Sequence, residues 1–210
     1  MKSFSRAATF ISLFLLVTSC ASTGHEQAGA KARVTLSPRF DANVYSRFAI
    51  YVENRTRRRL DKGVIRSVDD EFTRAAIENG YTVASRSDIE AIDKELRIQS
   101  SDFTETAMAK RARALNVPAI ILVSINSFAV EDYVPLTSFI FTDQKNKRAY
   151  RSNISVSARM VSADEAQIIW VSSHSAYNHV GDRRDYDMAA RAISEVASVV
   201  AGSLPSRVAH

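Results

Sequence analysis

A cluster of basic side chains is the most distinctive chemical feature of this sequence. Arg55, Arg57, Arg58, Arg59 and Lys62 lie within eight consecutive positions. Guanidinium groups bind phosphates and carboxylates through paired hydrogen bonds, so the cluster suits lipid headgroups, lipopolysaccharide, peptidoglycan carboxylates or an acidic subunit. The alternative is a solvated loop whose charges keep the protein soluble, and the sequence leaves both interpretations open.

Residues that serve catalysis or metal binding are sparse. The four histidines are His25, His174, His179 and His210. His174 and His179 are five positions apart, which is not the spacing of a helical metal-binding pair. The sequence contains no Gly-x-Ser-x-Gly elbow and no phosphate-binding loop. We therefore predict no catalytic residue, no metal and no cofactor, with a cluster of His179, Asp182 and Asp185 as the one enzyme hypothesis to test.

The single cysteine, Cys20, follows a stretch with the features of a secretory signal. Lys2 and Arg6 are basic, residues 7–17 form an apolar run, and Thr18 and Ser19 are small. The run is shorter than the roughly 20 residues that a transmembrane helix needs. We expect residues 1–19 to be a signal peptide that is removed from the mature protein.

Residues 17–20, Val-Thr-Ser-Cys, resemble the lipobox of bacterial lipoproteins. This resemblance implies cleavage before Cys20 and lipid attachment to its sulfur, which makes Cys20 the expected lipidation site. Ala21 follows, and lipoproteins without Asp at that position are usually sorted to the outer membrane of Gram-negative bacteria. Several acyl chains, each contributing about 0.8 kcal/mol per buried methylene, would hold the protein there stably. The alternative is an ordinary signal peptide that leaves a free thiol.

Length and composition predict one globular domain. The chain has 210 residues, of which 46% are hydrophobic and 24% are charged. These values exclude a disordered or low-complexity protein, and a chain of this size folds without disulfides or a structural metal. Removal of residues 1–19 lowers the formal charge from +5 to +3 (26 basic minus 23 acidic residues), which is too modest to indicate a nucleic-acid partner.

The region after Cys20 is expected to act as a short tether. Residues 21–33 are small and polar and show no hydrophobic period, so we assign residues 20–46 to the lipidated cysteine and tether. Such a chain reaches only about 20 Å. The folded domain, predicted over residues 47–204, should therefore lie close to the membrane.

The remaining sequence alternates between strand and helix patterns. We predict strands at 47–52, 81–84, 119–123, 139–142, 150–161 and 167–173, and helices at 63–79, 87–96, 104–115 and 186–203. Gly80 suits a left-handed helix end, and Ser87 with Glu90 forms a capping box. Residues 177–186 are expected to connect the last strand to the last helix. This order predicts an α/β class fold, with one mixed sheet packed by helices.

Several segments resemble the lipoprotein family of the curli-secretion protein CsgG, which includes LpoB, an activator of a penicillin-binding protein. The resemblance rests on residues 50–56, 79–83, 85–89, 109–120, 157–161 and 168–170. It implies the fold of the N-terminal domain of TolB and a non-catalytic role in envelope assembly.

The sequence also differs from individual relatives. The curli pore needs two membrane-spanning hairpins per subunit, whereas here only residues 133–157 have the length for one, and Pro135 interrupts its ladder. The tether has no Pro before Pro38, unlike the long Pro-rich tether of LpoB. PelC, a lipoprotein of exopolysaccharide export, is a relative with a similar domain and no barrel.

The sequence thus favours a non-catalytic, periplasm-facing outer-membrane lipoprotein. The resemblance implies an accessory subunit that self-associates and acts with envelope assembly or secretion proteins to export or assemble a polymer. The alternatives are an activator of a peptidoglycan synthase and a metal-dependent hydrolase. The aromatic residues Tyr133, Phe139, Phe141 and Tyr150 are expected to contact either a membrane interface, another subunit or the domain's own sheet.

Overall fold

A computed structural model describes residues 31–96, 102–133, 149–181 and 186–207. Within these residues an open mixed sheet of six strands is packed by four helices, which confirms the predicted α/β class. The elements are β1 (Arg33–Leu36), β2 (Arg47–Asn54), α1 (Lys62–Glu78), β3 (Thr82–Val83), α2 (Arg86–Leu96), α3 (Glu105–Ala114), β4 (Ala119–Tyr133), β5 (Ala149–Ser162), β6 (Ile168–Gly181) and α4 (Tyr186–Ala201).

The strand order is β1-β6-β5-β4-β2-β3. β2 runs parallel to both β3 and β4. The connections through α1 and through α2 and α3 each return the chain to the end of the sheet at which β2 begins. β4, β5, β6 and β1 are successively antiparallel. The parallel half carries continuous apolar runs and the antiparallel half alternates, as expected when only the parallel half is covered on both faces.

The main core lies between one face of the sheet and the helices α1 and α4. Helical spacing places Val68 and Phe72 of α1 and Ile193 of α4 in this core. The strands contribute alternate residues such as Ile121 and Ile154, both fully buried.

The opposite face is covered only in part. Met108 and Ala112 of α3 pack on Ala49, Ile120 and Leu122. α2 contributes no fully buried residue, and β5 and β6 continue beyond the area that α3 covers. Among the described residues, no helix covers the outer part of this face on β5 and β6.

The helix ends show one difference from the sequence prediction. Gly80 has a φ of 82°, which is the left-handed conformation expected after α1. In contrast, the hydroxyl that caps α2 belongs to Ser85, which accepts a hydrogen bond from the backbone N–H of Asp88 (3.2 Å). Ser87 is inside the helix and bonds to Ser85 (2.8 Å). The predicted capping box at Ser87 was wrong because an equally good capping residue lies two positions earlier.

β4 and β6 are longer than predicted, and together with β5 they extend past the end of β2. Pairing of β2 with β4 ends at Asn54 and Ile125, whereas β4 and β5 stay paired as far as Tyr133 and Ala149. We call residues 126–133, 149–155 and 175–181 the arm. Its eight β4 residues extend about 26 Å at the usual rise of a strand. The predicted strand 139–142 lies outside the described residues.

The folded part of the chain also begins earlier than expected. β1 lies within residues 20–46, the range assigned to the tether, and pairs with β6 from Arg33–Ser173 to Leu36–Trp170. Its apolar side chains, Val34 and Leu36, are half exposed, so the segment lacks the buried run that marks a strand in sequence. Residues 1–30, with the signal peptide and Cys20, lie outside the described residues. No described helix is long and apolar enough to cross a membrane.

Candidate interaction surface

The basic cluster forms a loop at the end of β2, and we call residues 55–62 the basic loop. The backbone N–H of Arg55 still bonds to the carbonyl of Ile125 (3.0 Å), which continues the β2–β4 ladder by one step. The loop is then folded by Asn54, whose amide donates to the carbonyl of Arg58 (2.8 Å). The Asn54 oxygen accepts bonds from the backbone (3.0 Å) and hydroxyl (2.7 Å) of Thr56.

The five predicted basic residues have different surroundings on this loop. Arg55 forms an ion pair with Glu53 (2.7 Å), so its charge is neutralised locally. Arg57, Arg59 and Lys62 are exposed and make no ion pair within the part of the chain that the structure describes. Arg58 is exposed, and its main-chain carbonyl anchors the loop. Asp61, the carboxylate within the loop, accepts from the backbone of Gly63 (2.6 Å) as the cap of α1.

The uncovered part of the sheet presents a polar surface that sequence reasoning missed. Ser155 and Ser157 of β5 lie opposite Ser175 and Ser173 of β6, and we call these four residues with Asn126 the serine face. Ser175 donates to Ser155 (2.9 Å), and the Asn126 amide donates to Ser157 (2.9 Å). An antiparallel sheet with one covered and one open face is expected to alternate in this way.

The arm carries an aromatic and charged group on the same face. The guanidinium of Arg151 lies 4.9 Å from the ring centre of Tyr177 and 5.9 Å from that of Tyr133. It also approaches Glu131 at 3.5 Å. The Tyr177 side chain is 63% exposed. Stacked guanidinium and tyrosine groups are common in binding surfaces because they offer rigid contact area together with donors.

Two of the four aromatic residues singled out in the sequence lie on opposite faces of the sheet. Tyr133 lies on the open face beside Arg151, whereas Tyr150 packs against the core from the other face of β5. Tyr150 therefore covers the domain's own sheet. Phe139 and Phe141 lie outside the described residues.

Arg111 is a buried cation that joins the helices of the second layer. Its side chain is fully buried and pairs with Asp93 (2.8 Å), which also accepts a hydrogen bond from the hydroxyl of Tyr51 (3.2 Å). The Arg111 guanidinium lies 5.2 Å from the Tyr51 ring centre. Burial, followed by the charge of Asp93, raises the pKa of Tyr51. The arrangement links β2, α2 and α3 and has a structural role.

A shallow cleft of about 470 Å³ lies beside the edge strand β3. Arg86 spans it by pairing with Asp69 and Asp70 of α1. Burial is the main cause that raises the pKa of Asp69, and the hydrogen bond and charge of Arg86 partly oppose it. Because both carboxylates pair with one guanidinium, the three residues hold the start of α2 against α1.

The metal-dependent hydrolase hypothesis requires a cluster of side chains that can bind a metal. Among the described residues no group of three His, Cys, Asp or Glu side chains is placed to hold a metal. His174 lies on β6 opposite Val156. His179 belongs to β6 by its backbone, but its side chain and the residues Asp182 and Asp185 are not described, and the same holds for His25, His210 and Cys20.

Comparisons by sequence find no relative: no protein-family model matches the chain, and no curated protein matches it. Solved structures do align with the fold. Lipoprotein GNA1162 from Neisseria meningitidis aligns with a TM-score of 0.50 at 15% identity, over 75% of this chain and 99% of that chain. This alignment shows a shared fold.

Two other solved structures give lower scores. The PelC dodecamer from Paraburkholderia phytofirmans aligns with a TM-score of 0.47 at 10% identity, over 85% of this chain and 99% of that chain. The C-terminal domain of LpoB from Salmonella enterica aligns with a TM-score of 0.43 at 15% identity, over 63% and 82% of the two chains. The resemblance to CsgG and TolB remains an expectation from sequence.

Proposed function

We propose that this protein is a lipid-anchored outer-membrane lipoprotein that faces the periplasm and works by binding. Its role is that of a CsgG-like accessory subunit, self-associating, in the secretion or assembly of an envelope polymer. The lipobox at residues 17–20 and the fold shared with the lipoprotein GNA1162 support the anchored location.

The observation that carries the binding role is the open half of the sheet. The serine face and the Arg151–Tyr177 pair form one continuous side of β5 and β6 that no described helix covers. Its hydroxyl and amide groups already bond to one another, so the surface is held in a fixed arrangement before any partner arrives. A flat, ordered polar surface of this kind suits a protein or polymer partner better than a small substrate, which is normally bound in a concave pocket.

Two experiments test the proposal in the native host. Metabolic labelling with palmitate should label the wild type and leave Cys20→Ala unlabelled, and the wild type should fractionate with the outer membrane. Deletion of the gene should lower a cell-surface polymer, measured as exopolysaccharide or as amyloid-like fibres. Label in the Cys20→Ala protein would contradict the anchor assignment.

The same deletion strain separates the alternative role. An activator of peptidoglycan synthesis would leave surface polymers at wild-type levels and lower peptidoglycan cross-linking. A purified synthase stimulated by this protein would establish that alternative in place of the export role. Metal analysis of the purified protein addresses the hydrolase hypothesis, which requires a bound metal and loss of activity in His179→Ala.

A further inference from the structure

We infer that the cleft beside β3 binds the β1 strand of a second copy of this chain, so that the sheets of neighbouring copies join edge to edge. This rests on the self-association in the proposed function and deepens it by naming the two surfaces that meet. The surfaces are the opposite edges of the six-stranded sheet.

β1 and β3 each have one neighbour among the described strands, so each presents an edge to solvent. All four residues of β1 are exposed, and the side chains of Val34 and Leu36 are each 47% exposed. An edge strand with accessible apolar side chains is a template for pairing with another chain. β1 therefore has the features of a strand that a partner covers.

On β3, the outward-facing backbone groups are those of Val83. The N–H groups of Thr82 and Ala84 donate to the carbonyls of Ser46 (3.0 Å) and Phe48 (2.9 Å), and these bonds join β3 to β2. Successive residues of a strand turn their backbone groups toward opposite edges. The N–H and carbonyl of Val83 therefore point away from β2, toward the free edge.

On β1, the outward-facing groups are those of Val34 and Leu36. The backbone N–H of Ser37 donates to the carbonyl of Ile169 (2.9 Å), which continues the ladder between β1 and β6. Alternation along the strand then turns the N–H and carbonyl of Leu36 and of Val34 away from β6. Each edge thus offers both a donor and an acceptor on single residues.

The directions of the two edge strands allow these groups to pair. β1 is antiparallel to β6, β6 to β5 and β5 to β4, whereas β4 and β3 both run parallel to β2. In a sheet that continues into a second copy with its helices on the same side, that copy's β1 lies antiparallel to β3. Two opposite residues of an antiparallel pair exchange both backbone bonds, which is what Val83 and Val34 can do.

The side chains of both edges lie on the same face of the sheet. Val83 is opposite Phe48, which is buried in the main core. Val34 is opposite Ser172, which is opposite Ala158 of that same core. Directly paired residues share a face of a sheet, so the side chains favour the same pairing of Val34 with Val83 as the backbone groups do.

The cleft has an apolar end where β3 begins. Ile77, in the last turn of α1 and 62% exposed, lines this end together with Tyr81. With Val34 opposite Val83 and the strands antiparallel, Leu36 of the second copy lies at this end. Because β3 has only two residues and supplies few backbone bonds, we expect the contact between Leu36 and Ile77 to contribute most of the affinity.

The other end of the cleft, where β3 finishes, is acidic. Asp69, Asp70 and Arg86 are the charged residues that line the cleft, and two negative charges with one positive charge leave a formal sum of −1. The side chain of Asp70 is 63% exposed. In the same antiparallel pairing, the exposed residues Lys31 and Arg33 of the second copy approach this end. The charges of the two edges are therefore complementary.

Mixing of two variants tests this contact in the lipidated full-length protein, purified in detergent and measured by light scattering. Leu36→Glu alters the β1 edge and Ile77→Glu alters the cleft, and each should raise the dissociation constant at least about 10-fold. Either variant alone should be monomeric. An equimolar mixture should form dimers and nothing larger, because one copy supplies an intact β1 and the other an intact cleft.

The control is Met188→Glu, which places the same charge on an apolar residue of α4 that is 51% exposed and belongs to neither edge. It should associate as the wild type does. The wild type should form larger assemblies, because a head-to-tail contact leaves one free edge on each added copy until a ring closes. Denaturant midpoints equal to that of the wild type establish that the variants are folded.

Cross-linking identifies the strands that meet. Thr35 and Thr82 are exposed and are directly opposite each other across the two copies when Val34 pairs with Val83. A mixture of Thr35→Cys and Thr82→Cys proteins should be joined by a short bis-maleimide, whereas either protein alone should not. The wild type, with Cys20 as its only cysteine, shows whether that thiol is acylated and so reports on the anchor separately.

A variant mixture without dimers, or cross-links in the Thr35→Cys protein alone, would overturn the inference. A wild-type assembly that neither glutamate variant weakens would overturn it too, while leaving the proposed self-association in place. A wild type that stays monomeric at high concentration would contradict the self-association itself and the contact with it.

Discussion

The side-chain amide of Asn54, the last residue of β2, donates a hydrogen bond to the main-chain carbonyl of Arg58 at 2.8 Å. This contact folds the chain back on itself immediately after the strand. Asn54 holds the loop through its backbone, whereas the side chains of Arg57 and Arg59 are exposed. The charge of the loop can therefore be changed without removing the contact that folds it.

Asn54→Ala should disorder the basic loop without unfolding the domain. The substitution removes the bond to Arg58 and two bonds from Thr56, and we expect the free energy of unfolding to fall by about 1–2 kcal/mol. Amide hydrogen exchange at Thr56 should accelerate while exchange in β5 is unchanged. The control is Asn43→Ala, at the opposite end, with an expected change below about 0.5 kcal/mol. Unchanged exchange at Thr56 would show that Asn54 does not organise the loop.

Arg111→Met should destabilise the protein more than loss of an exposed ion pair. Arg111 is fully buried and serves both Asp93 and the region around Tyr51, so its removal leaves a carboxylate without its cation. We expect a loss of about 3 kcal/mol in chemical denaturation. Arg39→Ala breaks the ion pair of Arg39 with Glu165, in which the two side chains are 67% and 55% exposed. It should lower the free energy of unfolding by less than about 1 kcal/mol. Equal losses in both variants would contradict a structural role for Arg111.

Asp69→Asn should change how stability depends on pH. Burial raises the pKa of Asp69, so the folded state holds the proton more tightly than the unfolded state does. The protonated carboxyl favours folding below its ordinary pKa of 3.8, and this contribution is lost as pH rises through the raised pKa of the folded protein. The wild type should therefore lose stability relative to Asp69→Asn between acidic and neutral pH.

Denaturant midpoints across that pH range measure the effect. Asp70→Asn, which removes the other carboxylate that Arg86 contacts, is the control for loss of an ion pair alone. A wild type that gains stability relative to Asp69→Asn as pH rises would show that the pKa is lowered.

Ser175→Arg should block the proposed binding surface while leaving the domain folded. Ser175 is exposed on the serine face, and its hydroxyl bond to Ser155 is a surface contact (2.9 Å), so we expect a stability loss of about 1 kcal/mol or less. Surface polymer in cells carrying this variant should fall to the level of the deletion strain. Thr106→Arg, exposed on α3, is the matched control and should support normal levels. A wild-type level of surface polymer in the Ser175→Arg strain would show that the serine face is not the binding surface.

The sequence was sufficient for the elements with a strong hydrophobic period. α1, α3, β2 and the start of β4 lie within a few residues of their predicted positions, because each buries a regular apolar face. The strand predicted at residues 150–161 likewise lies within β5.

The β4 and β6 parts of the arm could not be recognised, for a physical reason that differs between the two strands, whereas the predicted strand 150–161 already covered the β5 part. In β4 a bulge between Ile125 and Ser127 shifts the buried set to Phe128 and Val130, so the period of two is broken in sequence. In β6 most side chains after Val171 are polar on both faces, which removes the contrast that marks a strand. Residues 177–181, which the sequence analysis assigns to the connection between the last strand and the last helix, are instead part of β6.

Only part of the candidate interaction surface could be predicted from the sequence. The basic loop is contiguous in sequence, so its residues were found directly, although the ion pair that neutralises Arg55 required the structure. The serine face and the Arg151–Tyr177 contact join residues of different strands through the β5–β6 register, which no local pattern encodes.

Complementation of a chromosomal deletion strain tests the central claim, that an anchored binding protein supports an envelope polymer, most directly. Cell-surface polymer is measured in the deletion strain carrying the wild type or Cys20→Ala, at matched protein levels. We predict that the wild type restores the polymer and that Cys20→Ala does not. Polymer that is unaffected by the deletion, or fully restored by Cys20→Ala, would contradict the account.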